Sequence, residues 1–290
     1  MNQQSLQTLL TQRRRPILVE LDPPRQTDPA TFFAGARELA QAGADVITIA
    51  DCPIGKASID ASLLAAKLKR EYGLEALPHM ACRDRTLNAI QALLMGLAME
   101  QVSAVLLVTG DPVAQEDRYR VQGVFQLNSQ TLAAAIREQC EAGRLLPFFL
   151  CGALNVNAVN FEAELRKAQR KEQCGIRAFL TQPLSSPQAV KNLLLARQTL
   201  QGYLLGGLFP IVSYKNACFL KSNVSGMTIA PDIIDSYIGL DRAQGEARGR
   251  QLCVDFARQT AGAVDGFYIM TPFQRVALVQ SIIAELRALP

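Results

Sequence analysis

Short apolar runs alternate along the chain with longer amphipathic stretches, and the alternation is regular from residue 16 onwards. The runs are PILVELDPP (16–24), ADVITIADCP (44–53), LPHMACR (77–83), VSAVLLVTGDP (102–112), PFFLCGAL (147–154), IRAFLTQP (176–183), LLGGLFPIVS (204–213) and VDGFYIMTPF (264–273). Continuous apolar segments of this length, bounded by turn-forming residues, read as parallel strands buried on both faces. Between them the apolar positions fall three and four residues apart, the spacing of one helix face. Phe32, Phe33, Ala36, Leu39 and Ala40 form such a stripe behind Asp28-Pro29 and ahead of Gly43, and Leu87, Ile90, Leu93, Leu94 and Leu97 form another. Further helices are expected over 58–72, 129–141, 186–200, 244–259 and 273–289, with short extra helices between 214 and 239.

Strands that are each followed by a helix, without hairpin signals, predict an α/β fold: a single (β/α)8 TIM barrel over 1–290 with extra helices near the C-terminus. A doubly wound open sheet is the runner-up. It lacks support because neither GxGxxG nor GxxxxGK[ST] follows any strand.

Composition narrows the function classes. At 290 residues and 49% hydrophobic, the chain can bury a large core. A net charge of +4, with both signs interspersed, gives no extended nucleic-acid surface. Seven scattered cysteines without a CxxC pair favour reduced thiols. With a polar amino terminus and no apolar run of membrane-spanning length, the expectation is a soluble cytoplasmic protein without membrane insertion.

In a parallel α/β fold the chemistry gathers at the carboxyl ends of the strands. Those ends carry Glu20, Asp51, His79, Asp111, Asn155, Gln182, Tyr214 and Thr271. Glu20 stands among apolar residues, where desolvation raises a carboxyl pKa, so it either serves as a general acid or pairs with an arginine inside the barrel. Asp111, after Gly110, either stabilises a cation or caps a turn. His79, the only histidine, either donates to a ligand or is a core residue. The Gln182 amide suits a heteroaromatic edge, or serves the turn before Pro183. The long polar segment after Asp111 suggests a functional loop. No GxSxG motif accompanies these residues, and one histidine rules out a multi-histidine metal site. The rim is expected to position organic ligands.

Seven segments, VELDPP, PHMACRDR, LLVTGDP, GALNVNA, FLTQP, FPIVSYKNA and GFYIMTPFQR, lie in order at these strand ends and resemble the motifs of the methylenetetrahydrofolate reductase family. The similarity is closest to the reductase half of bifunctional homocysteine S-methyltransferase/methylenetetrahydrofolate reductase proteins. The resemblance implies FAD as cofactor, NADH or NADPH as co-substrate, and reduction of 5,10-methylenetetrahydrofolate to 5-methyltetrahydrofolate, a step that feeds methionine biosynthesis. It implies Glu20 as proton donor, Asp111 as stabiliser of the iminium cation, and Gln182, Tyr214 and Arg275 as folate-binding residues. Ala50, Asp51, His79, Thr109, Asp111, Asn128, Ser129, Asn155, Glu164 and Lys171 match positions that contact FAD. Thr109, Cys151 and Asn155 replace the family's commoner arginine, tyrosine and histidine, which suggests electrons supplied by a partner subunit as a variant. A homo-oligomer is permitted. Two other readings stand beside this one: a folate-binding subunit or sensor without redox turnover, and a barrel lyase using Lys56 or Lys171.

Overall fold

The computed structural model describes residues 4–113, 117–223 and 226–289. Helix α1 (Leu6–Thr11) precedes β1 (Ile17–Leu21), and strand and helix then alternate: α2 (Ala30–Gln41), β2 (Val46–Ile49), α3 (Ala61–Tyr72), β3 (Ala76–Ala81), α4 (Leu87–Met99), β4 (Ala104–Val108) and α5 (Ser129–Glu141). The alternation continues through β5 (Phe149–Leu154), α6 (Phe161–Gln173), β6 (Ala178–Pro183), α7 (Pro187–Thr199) and β7 (Tyr203–Leu208). Helices α8 (Tyr214–Asn223), α9 (Pro231–Asp235) and α10 (Arg242–Thr260) come before β8 (Gly266–Met270), and α11 (Val276–Arg287) follows it. Each strand is parallel to its neighbours and β1 pairs with β8, so the sheet closes into a (β/α)8 barrel, with the extra helices near the C-terminus.

The near-continuous apolar character of the strands follows from two buried faces. Val19, Ile47, Val105, Phe179 and Ile269 point outward into the layer shared with the helices. Their neighbours Leu18, Val46, Leu106, Leu180 and Tyr268 point inward and fill the barrel. Helix α1 adds Leu6 and Leu10 to this inner cluster. It begins at Ser5, whose hydroxyl accepts from the Thr8 N–H. At the other end of the inner stack the alternation turns polar, and that change makes the site.

Some element bounds differ from the sequence expectation, for local reasons. Helix α3 starts at Ala61 rather than 58, because the Asp60 side chain accepts from the Ser62 N–H and caps it there. Helix α11 starts at Val276 rather than 273, since Phe273 and Gln274 take left-handed φ of 52° and 54° in a tight turn. Helix α10 runs longer than 244–259, because Asp241 and Gln244 cap each other's backbone N–H groups. On α4 the stripe narrows to Ile90, Leu94 and Leu97, with Leu87 and Leu93 half-buried.

Candidate active site

A cleft of about 630 Å³ opens at the carboxyl ends of the strands, a size suited to organic ligands. Inward positions one step above the apolar stack line it: Glu20 on β1, Ala50 after β2, His79 on β3, Val108 on β4, Ala153 on β5, Gln182 on β6 and Met270 on β8. Phe209, Phe219 and Phe273 add aromatic surface.

Glu20 lies in register with Thr48 of β2 and Met270 of β8. Tyr268 is paired with Leu18, one inward step lower, and its ring rises through the barrel so that its hydroxyl donates to Glu20 Oε2. From β3, His79 Nε2 approaches the same oxygen at 3.5 Å without forming a hydrogen bond. Burial pushes the Glu20 carboxyl up to about 7, the charge of Asp22 adds to this, and the Tyr268 hydrogen bond opposes it. Burial alone takes His79 down to about 3. Near neutral pH the imidazole is therefore uncharged, while Glu20 is poised to hold or release a proton.

Asp111 follows Gly110, whose φ of +95° is a left-handed conformation that glycine adopts without strain. A Cβ at Gly110 would lie 2.9 Å from Arg83 Cβ. Arg83 is only 3% exposed and binds the rim together: its guanidinium donates to Asp84 and to the carbonyls of Asp111 and Cys52, both at 3.4 Å. Its own carbonyl accepts from the Val124 N–H at 2.6 Å. Among the described residues, no protein group bonds the Asp111 carboxylate or the Gln182 amide, which leaves both available to a ligand. Next to Gln182, the Thr181 hydroxyl accepts from the Gly207 N–H at 2.7 Å. A Cβ at Gly207 would meet the Thr181 carbonyl at 2.3 Å, so only glycine permits this approach of β7 to β6.

Asp51 reaches the cleft, but its carboxylate is already engaged: it accepts from the Ala81 N–H at 2.9 Å and from both terminal nitrogens of Arg85. Arg85 also holds Asp60, at 2.7 Å. Two other groups of sequence-selected residues gather beside the cleft. The Thr109 hydroxyl accepts from the Ser129 N–H at 3.2 Å, and Asn128 caps α5, so all three cluster where α5 begins. Beyond β5, the Asn155 N–H donates to Glu164 at 3.1 Å, and the Lys171 ammonium donates to the Ala153 carbonyl at 2.7 Å. Burial lowers the Lys171 pKa, and Glu164 opposes that shift.

Tyr214 and Arg275 are not brought into this assembly. Tyr214 opens α8, is 44% exposed, and borders a separate depression with Lys221 and Asp235. Arg275 pairs with Glu246 of α10 and lies over the Phe273 ring at 5.8 Å. Thr271 does line the cleft. The sequence reading missed Asp22, Arg83 and Tyr268, although strand alternation places Asp22 and Tyr268 on the inward face with Glu20 and Met270. Phe219 carries no such signal, because it reaches the cleft from α8.

A protein-family model for methylenetetrahydrofolate reductase matches residues 5–287. The chain belongs to the methylenetetrahydrofolate reductase family. Compared with curated proteins by sequence, it matches none. Among solved structures, an uncharacterized Clostridium thermocellum protein that binds two copies of 5-methyl-5,6,7,8-tetrahydrofolic acid superposes with a TM-score of 0.70 at 15% identity, covering 98% of both chains. The EDTA monooxygenase EmoA from Chelativorans sp. BNC1 follows at 0.61 and 12% identity, covering 94% of this chain and 93% of its own. Tryptophan synthase from M. tuberculosis reaches 0.56 at 13% identity, over 97% and 95% of the two chains. At these identities the likeness extends to the barrel, which hosts many chemistries. The family assignment therefore rests on the sequence model. In this member of the methylenetetrahydrofolate reductase family the cleft presents a buried acid together with a carboxylate and an amide that no described protein group bonds.

Proposed function

We propose that this member of the family reduces 5,10-methylenetetrahydrofolate to 5-methyltetrahydrofolate with FAD as cofactor. The observation that carries the reading is Glu20, a carboxyl held near a pKa of 7 by burial at the base of a ligand-sized cleft. Opening the five-membered ring of the substrate requires a proton on the departing nitrogen, and an acid with a pKa near the working pH is suited to supply it. Asp111, whose carboxylate is unpaired, lies on the same rim and offsets the positive charge of the iminium cation that ring opening leaves. Gln182 presents donor and acceptor together to the pterin edge. The folate-binding neighbour in C. thermocellum supports the substrate class.

Two unpartnered polar groups in the cleft support a polar ring system such as flavin there. His79 Nε2 and Thr271 Oγ1 are buried without a hydrogen-bond partner among the described residues, and both side chains belong to the lining. A buried orphan of this kind costs about 1–3 kcal/mol until a ligand or water satisfies it. In this reading Ala50, Asp51 and His79 would hold the ring system. The Thr109, Asn128 and Ser129 cluster and the Asn155, Glu164 and Lys171 cluster would hold the rest of the cofactor. When bound, FAD would supply the hydride to the folate, having been reduced either by NADH or NADPH or by electrons from a partner subunit.

The test is the absorption spectrum of protein reconstituted with FAD, followed by anaerobic mixing with 5-methyltetrahydrofolate and an artificial dye acceptor. Flavin absorbance with folate-dependent dye reduction is expected. Folate binding by calorimetry with no flavin uptake and no turnover would replace this reading with that of a folate-binding subunit.

A further inference from the structure

We infer that Tyr268 is the positioning residue of the proton donor: its hydroxyl holds Glu20 Oε2 and stabilises the carboxylate that remains once the proton has gone to the folate. The inference rests on the proposed role of Glu20 and adds to it a second residue, from the opposite end of the chain.

The geometry is specific. Tyr268 is 5% exposed, its ring is wedged in the inner cluster of the barrel, and its hydroxyl is directed at one oxygen of Glu20. The titratable groups facing that carboxyl are Asp22 just after β1, His79 on β3 and Tyr268 on β8. Asp22 repels the carboxylate, and His79 stays uncharged, so neither neutralises it. Arg25 acts on Asp22. Among the described residues, Tyr268 is thus the side-chain donor that meets the ionised form. In the step itself, the O–H bond of the Glu20 carboxyl breaks and an N–H bond forms on the departing folate nitrogen. The bonding pair from the O–H stays on the carboxylate, and Tyr268 keeps its own proton throughout. Its contribution is to make Glu20 a stronger acid than its burial alone would allow.

This has a sign that a merely structural tyrosine would not produce. In Tyr268→Phe the carboxylate loses a hydrogen bond to a charged group, and the Glu20 titration should move up by about one to two pH units. Folate reduction should then persist to higher pH by the same interval. Its limiting rate should fall roughly 3- to 10-fold, because the acid is weaker. Replacing residue 268 with 3,5-difluorotyrosine, a stronger donor, should move the titration downward. The carboxyl is read directly by infrared difference spectroscopy during pH titration of the intact protein, with Glu20→Gln identifying its band. That readout is independent of turnover, so it tests Tyr268 even if the folate reaction is not the activity. A titration unmoved in the phenylalanine variant, or moved in the same direction by both substitutions, would overturn the inference. If the phenylalanine variant does not fold, the difluorotyrosine protein alone decides.

Discussion

Glu20→Gln separates what the acid does for the reaction from what it does to the fold. Glutamine keeps the size of the side chain, and its carbonyl still accepts from Tyr268, but it has no proton to give. With the carboxyl at about 7, roughly half the molecules hold the proton at neutral pH and about nine in ten hold it one pH unit lower. Folate reduction in the wild type should therefore be fastest on the acid side and decline through pH 7. In Glu20→Gln it should drop by roughly 100-fold or more, the usual share of a general acid, and lose that pH dependence. Flavin reduction by the nicotinamide, which does not protonate the folate, should stay within a few-fold of wild type. The fold should respond in the opposite sense. A carboxyl raised from 4.5 in the unfolded chain to about 7 in the folded one opposes folding as pH rises. The penalty is absent below about 4.5, grows between the two values, and is full above 7, where it reaches about 3 kcal/mol. The glutamine variant escapes it, and should melt roughly 5 °C or more above wild type at pH 8.5 and alongside it near pH 4.5. Stopped-flow measurement of the two half-reactions and calorimetric melting across pH check both parts. Equal loss of both half-reactions, or a variant less stable at alkaline pH, would refute the reasoning.

Two further outcomes follow from charge and burial. Arg85→Ala should destabilise the protein by about 3–5 kcal/mol, as measured by denaturant unfolding, because it strands the Asp51 carboxylate, which is only 2% exposed; Asp60→Ala, which breaks the more exposed arm of the pair, should cost much less. His79 is about 3 when folded against an ordinary 6.5, so stability is whole above 6.5 and is lost as pH falls towards 3, by up to a few kcal/mol. In His79→Gln that part of the acid sensitivity should disappear from urea midpoints measured between pH 4 and 7.

The barrel was legible because buried parallel strands and one-sided helices leave different spacings in the same chain. Glu20 stood out because a carboxyl among Leu18, Val19 and Leu21 has few structural uses, and Asp111 because Gly110 marks the end of its strand. What stayed hidden depends on closure. Tyr268 and Glu20 are 248 positions apart and meet only because the last strand pairs with the first. The engagement of Asp51 by Arg85 was equally invisible, since it joins two loops that the barrel brings side by side. Tyr214 illustrates the reverse case: the motif resemblance implies a folate contact for it, and the first turn of α8 sets it beside a separate depression.

Helix α1 inserts Leu6 and Leu10, both essentially without solvent contact, into the apolar stack beneath Glu20 and Tyr268. The cleft is therefore a well with a hydrophobic stopper, and Glu20 meets solvent only through the mouth by which a ligand would enter. On the proposed role of Glu20, a proton spent on one substrate would be replaced after that product has left. Recharging of Glu20 and departure of the product would then be one event, and isotope exchange into the carboxyl should report the residence time of whatever sits above it.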